Sequence, residues 1–113
     1  MRKIIDKKVY NTETATQLAC MDNGRHATDF TFYEAALYRT KRGNLFLWES
    51  GGAMSKMSVY LGNNSSGGSS DIKALDKYEA YEVLAEWQTN NDISVDTMLD
   101  ACKIIGIAEP LEA

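Results

Sequence analysis

The segment DFTFYEAALYRTKRGNLFLWES, residues 29–50, constrains the fold most strongly. Phe30, Phe32, Glu34, Ala36 and Tyr38 alternate with Thr31, Tyr33, Ala35, Leu37 and Arg39, the two-residue period of a strand. Lys41-Arg42-Gly43-Asn44 breaks the pattern, with Gly43 suited to the left-handed position of a hairpin loop. Leu45-Phe46-Leu47-Trp48-Glu49 is the return strand. The Ala35-Ala36 pair weakens the first strand and leaves a helical start open there.

Gly51-Gly52 marks a second turn, after which Met54 to Leu61 resume the alternation. Met57, Val59 and Leu61 form the apolar side of this stretch and are expected to face the core. VYLGNNSSGGSS, residues 59–70, then runs into Gly, Asn and Ser. A phosphate loop needs a lysine at the following helix start; Gly67-Gly68 is followed by Ser69-Ser70-Asp71, where aspartate repels phosphate. The 62–71 stretch is therefore read as a surface connection.

At the N-terminus, Ile4-Ile5 and Val9-Tyr10 flank Asp6-Lys7-Lys8, a small hairpin in which Lys7 is awkward for a turn that wants positive φ. NTETATQLACMDNG follows and predicts a short helix, capped by Asn11 or Thr12, with Ala15, Leu18 and Ala19 inward and Asn23-Gly24 as its stop. The last third predicts two helices. Asp76 with Glu79 makes a capping signature ahead of Ala80, Tyr81, Leu84 and Trp87. Ser94 caps a second helix with Val95, Met98, Leu99, Cys102 and Ile105 on its apolar face, ended by Gly106. The expected architecture is one α+β domain over residues 1–113, with a three- or four-stranded antiparallel hairpin meander and helices packed on one face.

Composition narrows the function classes. At 44% hydrophobic the chain suits a single core, and no apolar run approaches the roughly 18–20 residues of a membrane span. The start lacks the pattern of a secretory signal, so a cytoplasmic protein is expected. Cys20 and Cys102 are expected as buried free thiols on helices. No cofactor or metal is expected: two Cys and one His lack zinc spacing, and the aspartates lack EF-hand order. His26 lies in a linker with no nucleophile motif around it, so no enzyme is read from the chain.

Charge is segregated. Residues 1–56 carry nine Lys/Arg and six Asp/Glu, whereas residues 57–113 carry three and ten. Glu79, Glu82 and Glu86 share one helix surface, and Asp96 and Asp100, with Asp92, are four apart. These acids suit a solvated face or a basic partner. One helical layer covers only one face of a sheet, so some rings among Tyr33, Tyr38, Trp48 and Tyr60 are expected to stay bare. Trp48 and Tyr60 are the expected anchors of a protein partner, with Glu79, Glu82, Glu86, Asp96 and Asp100 supplying charge. The alternative reading is nucleic-acid binding through Arg39, Lys41 and Arg42 at the hairpin tip.

KIIDKKVYNTETATQLA, LYRTKRGNLFLWESGGAMSKMSV and GNNSSGGSSDI together resemble a group of small proteins encoded by phages, plasmids and other mobile elements of Gram-positive bacteria. Its pattern reads K-I-I-D-G-K-x-Y-N-T-E-T-A, then L-Y-x-T-K-x-G-x-x-F-L, and the likeness runs from Lys3 to about Trp87. Lys7 stands where that pattern has Gly, and the segment from Ser94 onward lies outside it. The resemblance implies an interaction protein, of the kind that includes anti-CRISPR inhibitors of host defence nucleases, whose partner is a CRISPR effector or another defence complex. It carries no catalytic residue across.

Overall fold

A computed structural model describes residues 1–26, 28–62 and 65–108, with the backbone alone for 60–62 and 65–66. The chain runs β1 (Arg2–Ile5), β2 (Lys8–Asn11), β3 (Thr16–Asp22), β4 (Tyr33–Arg39), β5 (Leu45–Gly51), β6 (Val59–Gly62), β7 (Ser65–Gly67), β8 (Ser69–Leu75), α1 (Lys77–Thr89) and α2 (Val95–Ile105). A four-stranded antiparallel sheet has the order β3-β4-β5-β8, and β1-β2 and β6-β7 are separate hairpins. The expected α+β architecture with an antiparallel sheet holds.

The β4–β5 hairpin forms as its alternation predicts, in the register Tyr33 to Gly51 through Arg39 to Leu45. β4 starts later than Phe30. The Asp29 carboxylate accepts from the Thr31 amide at 2.7 Å and its hydroxyl at 2.6 Å, which holds residues 29–32 in a turn. Leu37 and Phe46 are fully buried, on opposite faces of the sheet.

The helix expected at 12–22 is a strand. Only a single turn forms at Asn11, whose side chain accepts from the Glu13 amide and whose carbonyl accepts from Thr14 and Ala15. β3 then pairs with β4, with a bulge between Gln17 and Ala19. The bulge lets Leu18, Ala19 and Met21 all pack toward the helices, so the inward residues mimic helical spacing. Cys20 consequently points outward and is exposed; only Cys102 is a buried thiol.

The strand expected to extend from Met54 to Leu61 beside β5 is also corrected. Ser55 captures the chain there: its hydroxyl donates to the Gly52 carbonyl at 2.8 Å and accepts from the Met57 amide at 3.1 Å. β8 takes the place beside β5, pairing Leu45 with Leu75 and Gly51 with Ser69. Val59 is 42% exposed and Met57 half-buried; the Leu61 side chain lies outside the described residues. The Gly/Ser stretch read as a surface connection supplies β7 and the start of β8, where Ser70 donates to the Ser50 hydroxyl at 2.8 Å.

The two helices form a single layer on one face of the sheet, as expected, but the other face is not left bare: the β1–β2 hairpin packs on it. On one face Ala80, Leu84 and Trp87 of α1 and Met98, Ala101, Cys102 and Ile105 of α2 close over Leu37, Leu45 and Leu47. On the other, the β1–β2 hairpin lays Tyr10 and Ile5 against Phe46 and Ile72. Tyr10 meets the Phe46 ring edge-on at 5.5 Å, and Tyr38 stacks on it at 5.1 Å. Lys3 Nζ pins this hairpin to β8, donating to Asp71 Oδ1 at 2.7 Å and to the Ile72 carbonyl at 3.2 Å.

Both predicted helices form with the expected caps. Asp76 accepts from the Glu79 amide while Glu79 accepts from the Asp76 amide; Ser94 accepts from the Thr97 amide; Gly106 ends α2 at φ 83°. Val95 is the exception to the expected apolar face, standing in the first turn with its side chain largely in solvent.

Candidate interaction surfaces

The carboxylates singled out in the sequence sit on the outer faces of the two helices. Glu79, Glu82 and Glu86 lie opposite the buried Ala80, Leu84 and Trp87, and all three are exposed. Tyr78, two-thirds exposed, shares this side, with Lys77 Nζ 5.3 Å from its ring centre. On α2, Asp96 and Asp100 lie one turn apart and are exposed. Their availability differs. Glu79 Oε1 accepts from the Asp76 amide at 3.1 Å, so part of its charge is held at the helix start. The ion pairs found among the described residues are Lys3–Asp71 and Lys56–Glu49, which leaves Glu82, Glu86, Asp96 and Asp100 outside them.

The expected aromatic anchors are placed differently. Trp48 is half-buried, packed on the cluster of Tyr10, Phe46 and Ile72 beneath the N-terminal hairpin. The Tyr60 side chain lies outside the described residues. Tyr33 and Tyr38 are half-buried. The bare apolar groups are others. Phe30 and Met54, 67% and 71% exposed, adjoin through the Met54 amide, which donates to the Phe30 carbonyl at 2.6 Å. Ile4 and Val9 are cross-strand partners on the outer side of the β1–β2 hairpin, 72% and 60% exposed. The turn at Asp6-Lys7 fixes that register, so the Ile4/Val9 pair was legible from the hairpin pattern; nothing local to Phe30 signalled its exposure.

A polar cluster ties β4 and β5 to the segment that follows β5. Tyr33 donates to Glu49 Oε2 at 2.5 Å, and Lys56 Nζ lies 3.2 Å from the same oxygen and 4.3 Å from the Tyr33 ring centre. Burial, the hydrogen bond to Glu49 and the nearby charges of Glu49 and Glu86 all push the Tyr33 phenol far above its ordinary range.

The basic hairpin tip divides. Arg39 is half-buried, its guanidinium beneath Gly43, 3.4 Å from where a β-carbon on that glycine would stand. Lys41 and Arg42 are exposed and line a cavity of about 410 Å³ with Lys7 and Lys8 of the β1–β2 hairpin. Lys8 Nζ bridges the two turns by donating to Asn44 Oδ1 at 3.3 Å. Sequence spacing could not pair Lys7 and Lys8 with a loop more than thirty residues away.

His26 is exposed, with Nδ1 2.8 Å from Thr28 Oγ1 and accepting from the Thr28 amide. Among the described residues no three His, Cys, Asp or Glu side chains converge as a metal site, and no helix is long and apolar enough to cross a membrane. No protein-family model, curated protein or solved structure matches this chain.

Proposed function

We propose that this chain is a non-enzymatic protein-interaction module of a mobile element, an inhibitor of a host defence nuclease of the anti-CRISPR kind, working in the bacterial cytoplasm. Its mechanism is occlusion: the outer faces of α1 and α2 enter a basic channel that otherwise holds nucleic acid. The observation that carries this reading is the acidic side of α1, where Glu82 and Glu86 share the exposed side of Tyr78 and join no ion pair among the described residues. That side is presented on a rigid support, because the capping box and the buried Ala80, Leu84 and Trp87 hold the helix in place. Residues 76–105 carry seven Asp/Glu against two Lys, a field that steers the helices toward cations. Its resemblance to mobile-element proteins supplies the class of partner.

The test is binding to a purified guide-loaded CRISPR effector at low and high salt. Glu82→Lys with Glu86→Lys should weaken binding at least tenfold and flatten its salt dependence, with the far-UV circular dichroism unchanged. Unchanged affinity removes the electrostatic contact, and absence of binding by the wild type removes this class of partner.

A further inference from the structure

Two turns distant in sequence meet at one end of the sheet, and each brings cations. Lys7 comes from the β1–β2 turn, Lys8 from the start of β2, and Lys41 and Arg42 from the β4–β5 tip. They line one cavity of about 410 Å³ together with Thr40 and Asn44. Among the described residues no carboxylate lines it; Asp6, the neighbour of Lys7, faces a separate depression along β8. Among the described residues Lys7, Lys41 and Arg42 make no ion pair. Four like charges around one concavity repel each other and disfavour the fold unless an anion occupies it.

Lys7 sharpens the point. Its backbone is left-handed, φ 66°, next to Asp6 at φ 50°. A side chain there is strained where glycine is not. The residue is therefore unfavourable twice, in its backbone and in its charge. Strain of this sort persists where it serves a site.

We propose that this cavity binds the phosphate groups of a nucleotide, either free or at the end of a single strand. The cations supply the charge of a di- or triphosphate, the Arg42 fork matches phosphate oxygens, and Asn44 and Thr40 add neutral hydrogen bonds. The volume is that of a small-ligand site. A long duplex fits less well, because the chain carries a net −4 and the acidic helices repel phosphates beyond the cavity. This site is independent of the acidic helical face, so either can fail alone.

The test titrates the full chain with magnesium-free ATP and with a 5′-phosphorylated octathymidylate, at about 50 and 200 mM NaCl. Binding of either probe, weakening with salt, supports the site; ATP alone identifies a free nucleotide, the oligonucleotide alone a strand end. Lys41→Ala with Arg42→Ala should lower affinity roughly tenfold or more, as expected for lost charge-assisted hydrogen bonds. Lys7→Gly should separate binding from folding, weakening the probe several-fold while raising the thermal midpoint by about 2–4 °C. Absence of binding by both probes at the lower salt overturns the proposal, as does wild-type affinity in the Lys41/Arg42 double variant or in Lys7→Gly.

Discussion

Tyr33 on β4 donates its phenolic proton to Glu49 on β5 across 2.5 Å, a diagonal pair on the helix-facing side of the sheet. The phenol's pKa is raised, first by burial and then by Glu49. The unfolded chain therefore loses this proton first, at about pH 10, while the folded chain keeps it. The contribution is fully present below that pH and declines as pH rises above it. The urea midpoint of the wild type should fall more steeply between about pH 9.5 and pH 11.5 than that of Tyr33→Phe. Tyrosinate absorbance should show late-titrating phenols in the wild type, Tyr33 and also Tyr38, which burial raises, and one fewer in the variant. Identical slopes for both proteins contradict the pairing.

The start of α1 depends on two reciprocal hydrogen bonds between Asp76 and Glu79. Asp76→Ala should cost about 1 kcal/mol by urea denaturation. Glu79→Gln should keep the box, since an amide oxygen accepts equally well, and leave stability nearly unchanged. That variant removes one charge from the outer face without disturbing the helix, so it isolates the electrostatic part of partner binding.

The N-terminal hairpin is held by Tyr10 and Ile5 on the Phe46 side of the sheet. Phe46→Ala should destabilise the whole protein by about 3–5 kcal/mol, because the ring is fully buried beneath two tyrosines. Tyr10→Ala should act more locally, releasing β1–β2 from the sheet. Hydrogen exchange should then quicken in residues 2–11 while β4 and β5 stay protected. Uniform acceleration would show that the hairpin and the sheet open as one unit.

Gly52 marks a close passage of two chain segments. A β-carbon there would stand 2.6 Å from the Phe30 carbonyl oxygen and 2.8 Å from that of Asp29, and neither backbone atom can turn aside. Gly52→Ala should shift the 29–32 turn and destabilise by about 1–3 kcal/mol. Gly24→Ala is the control: open space surrounds it, and only its φ of +73° opposes a side chain, at about 1 kcal/mol. Thermal melts of the two variants should rank them in that order.

Much of the fold was legible where one local rule acted without competition. The β4–β5 hairpin follows from its alternation and Gly43, α1 from Asp76 and Glu79, and the end of α2 from Gly106. Misreadings arose where two local rules disagreed. Leu18, Ala19 and Met21 keep helical spacing on a strand because a bulge repeats one inward position. Residues 54–58 alternate like a strand, but the Ser55 hydroxyl takes the backbone partners that a ladder would need. Of the candidate site residues, exposure of Glu82, Glu86, Asp96 and Asp100 followed from helical phase, whereas the covering of Trp48 did not follow from any local pattern.

By itself the sequence determined the periods, the caps, the left-handed turns and the separation of charge between the two halves, since each depends on neighbours within a few residues. Tertiary structure alone decided that β8 lies beside β5, that the first eleven residues roof the second face of the sheet, and that Lys7 and Lys8 stand across a cavity from Lys41 and Arg42. These are contacts between segments tens of residues apart. Their choice rests on which apolar faces fit together when the whole chain closes, a competition that no single stretch records.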